Sequence, residues 1–135
     1  MSYVFDTSSL MAVLLDEGSP DIDVLFDEHT VELTFYEAGN VLWKVTHLQE
    51  RMDAEETQRL VDILEDLRLE LVVHELSDLG MAAVLETGSE CDLTFYDAAH
   101  LRCAETLDAT FVTEDSELRD AAGGRVEVCE LDGLV

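Results

Sequence analysis

Four acidic side chains stand where short apolar segments meet the starts of helices: Asp6, Glu37, Asp97 and Asp115. Asp6 directly follows the apolar run at residues 3–5, and Asp115 comes two residues after the run at 109–113. The three cysteines and four histidines show no metal-ligand spacing, so no zinc site is expected. Oxygen ligands without His or Cys point to Mg²⁺ or Mn²⁺. If folding gathers these acids, they form a candidate site for a hard divalent cation.

The elements that must position these acids follow from the hydrophobic pattern. Short apolar runs alternate with amphipathic segments, which predicts strands separated by helices. The predicted strands are residues 3–5, 31–33, 70–74, 109–113 and 126–129. The predicted helices include residues 10–14, a short one near 24–26, 35–49, one that opens at 53, 77–88, 94–107 and 115–122. This order predicts the α/β class, a three-layer α/β/α sandwich with a five-stranded parallel sheet, in one domain spanning residues 1–135.

Hydroxyl and acidic side chains before the apolar stripes predict the helix N-caps. The expected caps are Thr7 and Ser8, Ser19 followed by Pro20, Asp53 with Glu56, Ser77 and Thr94. Gly88 is expected to end the helix that Ser77 opens.

All four acids are expected at one edge of the sheet. In a right-handed βαβ crossover each helix runs antiparallel to its strands, so helix N-termini lie at the carboxyl edge. Two carboxylates about 4 Å apart repel by roughly 1 kcal/mol in water and about 4 kcal/mol at an effective dielectric near 20. A helix N-terminus offsets only about 0.3–1 kcal/mol. Such a cluster is tolerated when it is protonated or when it holds a cation.

Two of the acids also have a simpler explanation. Residues 33–38 and 93–98 have the sequences LTFYEA and LTFYDA, with a threonine three residues before the acid. This spacing is typical of a capping box, in which the acid serves only the helix N-terminus. For either stretch alone that explanation stays open, whereas the shared sheet edge favours a site.

The net charge is extreme, with 32 acidic residues against 7 basic ones and a formal charge of −25. At about 1 M salt the Debye length is roughly 3 Å, so most of the self-repulsion would be screened. The acids are scattered through periodic helices rather than gathered in blocks, which favours adaptation to a salt-rich cytoplasm over an acidic binder of basic proteins. No apolar run approaches the roughly 20 residues of a membrane span, so we expect a soluble, cytoplasmic protein.

The chain resembles a PIN-domain ribonuclease, and most closely the VapC-type toxins of toxin–antitoxin pairs. The resemblance covers essentially all 135 residues. It rests on four segments in order: residues 4–10 (VFDTSSL), 36–42 (YEAGNVL), 93–101 (LTFYDAAHL) and 111–118 (FVTEDSEL). The family's acidic positions fall on Asp6, Glu37, Asp97 and Asp115, and its Ser/Thr before the last acid falls on Thr113.

This resemblance implies a parallel sheet with the first strand at its centre. It also implies Mg²⁺- or Mn²⁺-dependent endonucleolytic cleavage of RNA by a metal-activated water. The implied partners are an RNA substrate, expected to be structured like a tRNA, a small antitoxin protein and a second copy of the chain in a homodimer. Family members usually carry more basic residues, so this chain is expected to bind RNA weakly at low salt.

Roles within the site follow from the resemblance and from helical spacing. The expected metal ligands are Asp6, Asp97 and Asp115. Glu37 either binds a cation or helps activate the water. Thr113 either hydrogen-bonds a metal-bound water or serves as a cap. His100, three residues after Asp97, is expected to pack or hydrogen-bond rather than catalyse.

Three more side chains are expected near the acids because of their positions on helices. Asn40 and Lys44 lie three and seven residues after Glu37, on its face of the helix. Arg119 lies four residues after Asp115. Asn40 is expected to support the site, and Lys44 and Arg119 to contact RNA phosphate. For each of the three, an ordinary surface or ion-pair role is the alternative.

Two other functional classes stay open. An RNA-processing PIN nuclease outside a toxin–antitoxin system would use the same site. A non-catalytic PIN-fold binding module would keep the fold and use the acids only as helix caps.

Overall fold

The structure, a computed structural model, describes residues 1–134. The strands are β1 (Tyr3–Phe5), β2 (His29–Val31), β3 (Val72–His74), β4 (Thr110–Val112) and β5 (Val128–Cys129). The helices are α1 (Thr7–Leu15), α2 (Leu33–Trp43), α3 (Ala54–Glu70), α4 (Leu76–Leu79), α5 (Met81–Cys91), α6 (Phe95–Leu107) and α7 (Ser116–Ala122). A π-helical turn, Lys44–Leu48, continues α2, and short 3₁₀ helices occupy Ile22–Leu25 and Leu131–Gly133. Among residues 1–134, no helix has the length and apolar character needed to cross a bilayer.

The five strands form one parallel sheet in the order β3-β2-β1-β4-β5. Strand β1 pairs with β2 on one side and with β4 on the other, so Val4 lies opposite both His29 and Phe111. The predicted α/β class and the central position of the first strand are confirmed. The chain passes from β1 to β2 and β3 on one side and then crosses from β3 to β4 on the other side of β1. At such a reversal of strand order a crevice is expected at the carboxyl end of β1.

Helices cover both faces of the sheet, and neighbouring residues of one strand point into different layers. Val4 and Phe111 pack on the face covered by α4 to α7, whereas Phe5 and Val112 pack on the face covered by α1 to α3. All four side chains are fully buried. Each stabilises the fold by about 1.5–3 kcal/mol relative to an exposed position. The predicted three-layer arrangement is therefore confirmed.

Strand β2 ends, and helix α2 begins, two residues earlier than predicted. The expected strand at 31–33 is wrong, since Glu32 already has helical backbone angles (φ −54°, ψ −37°). The buried Thr30 hydroxyl donates to the carbonyl of Phe5 at 2.7 Å and lies 2.8 Å from the hydroxyl of Thr34. This hydroxyl pair ties the strand to the first helical turn, which the apolar pattern alone does not indicate.

Two of the predicted caps are confirmed, and the cap predicted at Ser19 is wrong. Asp53 and Glu56 form the expected capping box of α3, and Thr94 caps α6. Ser19 is not a cap, because its hydroxyl donates instead to the carbonyl of Ala12 at 2.8 Å. The short 3₁₀ helix begins three residues later.

The helix predicted to start at Ser77 is divided into two. Glu75, not Ser77, caps α4, and Gly80, with a positive φ of 84°, separates α4 from α5. Gly88 does not end a helix but lies inside α5. A Cβ atom at this position would lie 3.1 Å from the carbonyl oxygen of Leu93. Glycine there lets the start of α6 approach closely.

Few of the acidic side chains have a basic partner. Within residues 1–134 the arginine ion pairs are Arg59–Glu55, Arg68–Glu32, Arg119–Glu130, Arg125–Glu90 and Arg125–Glu105. An exposed pair such as Arg59–Glu55 contributes roughly 0–1 kcal/mol. Most of the 32 acidic residues therefore add to the net repulsion.

We expect the protein to be more stable in concentrated KCl than in dilute buffer. Between about 0.1 and 2 M KCl, screening should raise the melting temperature by at least about 4 °C, the shift that roughly 1 kcal/mol produces in a domain of this size. Thermal unfolding followed by circular dichroism measures this. The control carries three neutralised acids, Glu65→Gln, Asp66→Asn and Glu86→Gln, which change the net charge from −25 to −22, and its rise should be smaller. A melting temperature independent of KCl would contradict the prediction.

Candidate active site

Asp6 is the buried centre of the carboxylate group, only 5% exposed at the end of β1. It caps α1 by accepting from the backbone N–H of Ser9 at 3.0 Å, so the expectation that Thr7 and Ser8 cap this helix is wrong. Oδ1 also accepts from the hydroxyls of Ser8 and Ser9, at 2.8 and 3.0 Å. Oδ2 accepts from the hydroxyl of Thr113 at 2.5 Å. These four donors replace the water that the carboxylate loses on burial.

Thr113 connects Asp6 to Asp115. While it donates to Asp6, its buried hydroxyl accepts from the backbone N–H of Asp115 at 3.1 Å. Asp115 caps α7, since its Oδ1 accepts from the N–H groups of Glu117 and Leu118 at 3.0 and 3.2 Å. The end of β4 and the start of α7 are thereby fixed against β1. The role predicted for Thr113 toward a metal-bound water stays a prediction.

Arg119 supports the same loop. Its Nη1 donates to the carbonyl of Thr113 at 2.9 Å, and its Nη2 lies 3.7 Å from the carboxylate of Glu130. The ion-pair role expected as its alternative is present in the structure. Contact with RNA phosphate stays a prediction for this residue.

Glu37 lies in the second turn of α2 and not in the first, because this helix begins earlier than predicted. The Thr34 hydroxyl is buried against β2, so residues 33–38 form no capping box. Oε1 of Glu37 accepts from the hydroxyl of Thr7 at 2.7 Å and from Nε2 of His100 at 3.1 Å, the hydrogen-bonding role expected of this histidine. The bond from His100 lowers the pKa of Glu37, and burial opposes this effect.

Asp97 lies in the first turn of α6, as expected. Burial raises the pKa of Asp97, His100 lowers it, and the charges of the other three acids, Glu37, Asp115 and Asp6, raise it further. Within residues 1–134 its carboxylate accepts no hydrogen bond. The structure therefore brings the four acids close enough to act on one another electrostatically.

The donor set suits a hard divalent cation by its chemistry. Oε2 of Glu37, Oδ2 of Asp115 and both carboxylate oxygens of Asp97 accept no hydrogen bond from residues 1–134. Oxygen ligands of this kind fit Mg²⁺ or Mn²⁺. In that same part of the chain, no three His, Cys, Asp or Glu side chains are already arranged to hold an ion. Metal binding stays a prediction.

Asn40 and Lys44 share an open cavity with Glu37, as their helical spacing predicts. The cavity, of about 450 Å³, is lined by Thr7, Ser8, Met11, Tyr36, Glu37, Asn40, Val41 and Lys44. Lys44 is the basic residue of this lining. Its ammonium group is therefore a candidate for phosphate contact beside the carboxylates.

Thr113 was predicted as part of the site, whereas the contacts of the Ser8 and Ser9 hydroxyls with Asp6 were not. Beyond its bond to Asp6, the Ser8 hydroxyl lies 3.2 Å from that of Thr113 and accepts from the N–H of Glu114 at 3.1 Å. A signal was available, because three consecutive hydroxyl residues follow Asp6. One helix N-cap needs only one such side chain.

Comparison with known sequences identifies one family and two named relatives. A family model described as the PIN domain matches residues 3–124. Exonuclease VapC9 of Pyrobaculum aerophilum is 35% identical over 130 residues, which are 95% of this chain and 91% of that protein. Ribonuclease VapC3 of the same organism is 27% identical over 128 residues, 89% of this chain and 94% of that protein. The similarity is not confined to the acidic segments.

Solved structures with the same fold include PAE2754 from Pyrobaculum aerophilum, which is 29% identical with a TM-score of 0.73. The match covers 98% of this chain and 92% of that one. A chain in the structure of VapBC2 from Rickettsia felis, bound to a DNA fragment from the promoter, has a TM-score of 0.68 at 16% identity. It covers 96% of this chain and 98% of that one. This second likeness concerns the fold alone.

Replacement of Asp97 should stabilise the metal-free protein. A raised pKa means that ionisation of Asp97 is less favourable in the folded than in the unfolded chain, so its charge lowers stability above that pKa. In the presence of chelator at pH 7, Asp97→Asn should raise the melting temperature by on the order of 2–4 °C. The gain should shrink as the pH falls and the wild-type carboxyl group becomes protonated.

Asp115→Ala is the contrasting variant, measured by the same thermal unfolding. It removes the N-cap of α7, which typically contributes about 0.5–2 kcal/mol, and should lower the melting temperature. A melting temperature of Asp97→Asn at or below the wild-type value at pH 7 would show that its charge carries no such cost.

Proposed function

The chain belongs to the PIN-domain family, and on that premise we propose that it is a Mg²⁺- or Mn²⁺-dependent endoribonuclease that acts as the toxin of a toxin–antitoxin pair. Its named relatives are an exonuclease and a ribonuclease of the VapC type, which supports a nuclease. Beyond nuclease activity, we propose the divalent cation, RNA as the substrate, and cleavage within the strand.

One observation carries the proposal: hydrogen bonds join the segments that carry the four acids, since Thr113 links Asp6 to Asp115. Glu37 is held by Thr7, next to Asp6, and by His100, three residues after Asp97. Helix capping accounts for Asp6 and Asp115 but not for Glu37 and Asp97, whose carboxylates accept no backbone N–H from residues 1–134. The negative charges repel one another, and those of Glu37, Asp115 and Asp6 raise the pKa of Asp97 in addition to the effect of burial. A divalent cation bound among the carboxylates would offset this repulsion.

The chain's own residues have distinct parts in the proposed reaction. Asp6, Asp97 and Asp115 would hold the cation, which when bound supplies a water of lowered pKa and shields the phosphate from the carboxylates. Glu37 would either join them as a ligand or accept a proton from that water at its unengaged Oε2. Thr113 holds Asp6 in place through Oδ2. Asn40 supports the site from the adjoining cavity.

RNA recognition has few basic residues to rely on. The chain has 7 basic residues, and Arg119 is engaged with Thr113 and Glu130. Lys44, in the cavity beside Glu37, is the best-placed candidate for phosphate contact. Where cationic contacts are few, the shape of a folded RNA and its bound metal ions must supply most of the recognition. We therefore propose a structured RNA, such as a tRNA, as the substrate.

The variant Asp6→Asn tests the proposed centre. Asparagine keeps an acceptor oxygen for Ser8 and Ser9, and its amide can donate to Thr113, so the fold should be retained while a negative charge is lost. In concentrated KCl with Mg²⁺ or Mn²⁺, RNA cleavage should fall at least about 100-fold, the scale of groups that act on the reacting centre. Chelator should abolish cleavage by the wild type. Full activity of Asp6→Asn would falsify this assignment.

A matched control variant and the choice of RNA substrates make that assay more specific. Glu65→Gln removes an exposed acid of α3, away from the site, and should cleave normally. A circular RNA has no ends, so its cleavage requires an endonuclease, whereas degradation of linear RNA alone would indicate an exonuclease, the activity in the name of VapC9 of P. aerophilum. Equal cleavage of many unrelated RNAs would remove the proposal of a structured target.

An antitoxin is proposed to cover the exposed apolar side chains of the early helices. Trp43 is 51% exposed at the end of α2 and stacks on His47, in the π-helical turn that follows. Leu48 is exposed in the same turn. A basic side chain of the bound protein would then be able to reach the carboxylates. The structure from R. felis is named as a VapBC2 complex, which supports such a partner.

A homodimer is also proposed, from the family resemblance. A largely apolar groove of about 430 Å³, to which α2, α4 and α6 contribute, offers a face for a second copy, and Tyr36, Leu76 and Tyr96 are exposed along it. Light scattering of the purified chain in KCl tests this state. Copurification with the product of a small open reading frame beside the gene tests the antitoxin.

The two alternative classes make different predictions. An RNA-processing nuclease would show the same cleavage and the same loss in Asp6→Asn, but no antitoxin frame would lie beside its gene. A non-catalytic binding module would show no metal-dependent cleavage of any RNA. Helix capping does not account for Glu37 and Asp97, which favours the catalytic classes.

A further inference from the structure

The two oxygens of the Glu37 carboxylate have different surroundings. Oε1 accepts from the hydroxyl of Thr7 at 2.7 Å and from Nε2 of His100 at 3.1 Å. Within residues 1–134, Oε2 has no hydrogen-bond partner. The two donors come from α1 and α6, whereas Glu37 itself belongs to α2. Three helices therefore fix one oxygen of this carboxylate and leave the other free.

His100 is 1% exposed, in the second turn of α6. Because an ionised carboxylate only accepts hydrogen bonds, Nε2 must carry the hydrogen of the bond to Glu37. The other ring nitrogen, Nδ1, is buried and has no hydrogen-bond partner within residues 1–134. No chain of donors and acceptors leads on from Nδ1, so the imidazole can hold Glu37 but cannot relay a proton through its far side.

Packing alone gives no reason for a histidine at this position. The neighbouring buried residues of α6 are the apolar Ala98, Ala99 and Leu101. A buried polar atom without a partner destabilises the fold, and an apolar side chain of similar size would avoid this cost. The bond to Glu37 is the one polar contact of the His100 side chain among the described residues.

We propose that His100 is a positioning residue of the nuclease centre. With Thr7, it fixes Oε1 of Glu37 so that Oε2 alone is left for the cation and its water. This inference rests on the proposed function. Under this inference Glu37 offers only Oε2 to the cation and its water, and the orientation of Oε2 depends on His100.

The first test needs neither RNA nor metal. In the metal-free protein, long-range ¹H–¹⁵N correlation spectra of the histidine rings should show a proton on Nε2 of His100. In Glu37→Gln, where the acceptor is a neutral amide, the resonance of that proton should shift. An Nε2 without a proton, or a resonance unchanged by Glu37→Gln, would overturn the proposal.

The second test compares His100→Leu, which removes the donor, with His100→Gln, whose side-chain amide can replace it. Manganese affinity without RNA, measured by electron paramagnetic resonance, should fall about 10-fold in His100→Leu, within the range found when the partners of metal ligands are removed. RNA cleavage should lose roughly 10- to 100-fold in kcat with little change in KM. His100→Gln should recover most of both losses, and His74→Gln is the histidine control outside the site.

A double-mutant cycle separates positioning from packing. In a Glu37→Gln background, His100→Leu should cause no further loss of manganese affinity. An equal loss in both backgrounds, or a folded His100→Gln as defective as His100→Leu, would show that His100 acts through packing. If the wild type cleaves no RNA, the nuclease proposal fails, while the ring spectra and the manganese measurements still decide the role of His100.

Discussion

The structure depends on accommodating one buried carboxylate, that of Asp6, at the end of the central strand. The desolvation penalty of such a group amounts to several kcal/mol unless hydrogen bonds compensate it. Here Ser8 and Ser9 donate from the start of α1, and Thr113 donates from a segment 107 residues away along the chain. The bonds from Ser8 and Ser9 are local, but the bond from Thr113 requires that β1 lie beside β4, as in the observed register. The same contacts therefore stabilise the strand order and build the centre of the site.

The four acids differ in the hydrogen bonds that hold their carboxylates, and this difference suggests that they have different roles in the site. Asp6 and Asp115 each accept backbone N–H groups, and Glu37 is fixed through a single oxygen. Of the four, only Asp97 has a carboxylate that accepts no hydrogen bond from the described residues, and burial together with the charges of its neighbours raises its pKa. Part of the cost of gathering the acids therefore falls on the least restrained of them. A bound cation would relieve it there most directly.

The element order, the parallel sheet and the meeting of the four acids could be predicted from the sequence, because hydrophobic periodicity and βαβ handedness determine them. The helix boundaries around the site could not. The stretches LTFYEA and LTFYDA are nearly identical, yet Thr94 caps its helix whereas Thr34 is buried against Thr30. A tertiary contact decides between the two outcomes, and local sequence does not contain it. The bonds of Ser8 to Thr113 and of His100 to Glu37 are long-range contacts of the same kind.

The charge of −25 raises the question of how such a surface could admit an RNA phosphate. Salt and a divalent cation act on this problem over different distances. At about 1 M salt the Debye length is roughly 3 Å, so acids scattered over the surface are screened from an approaching strand. Asp6 is buried and Glu37 and Asp97 are partly buried, and the interactions of such charges are screened much less. Monovalent salt can therefore remove the general repulsion but not the local one. If RNA is the substrate, a concentrated electrolyte permits the approach, and a divalent cation bound among the four carboxylates is what permits contact.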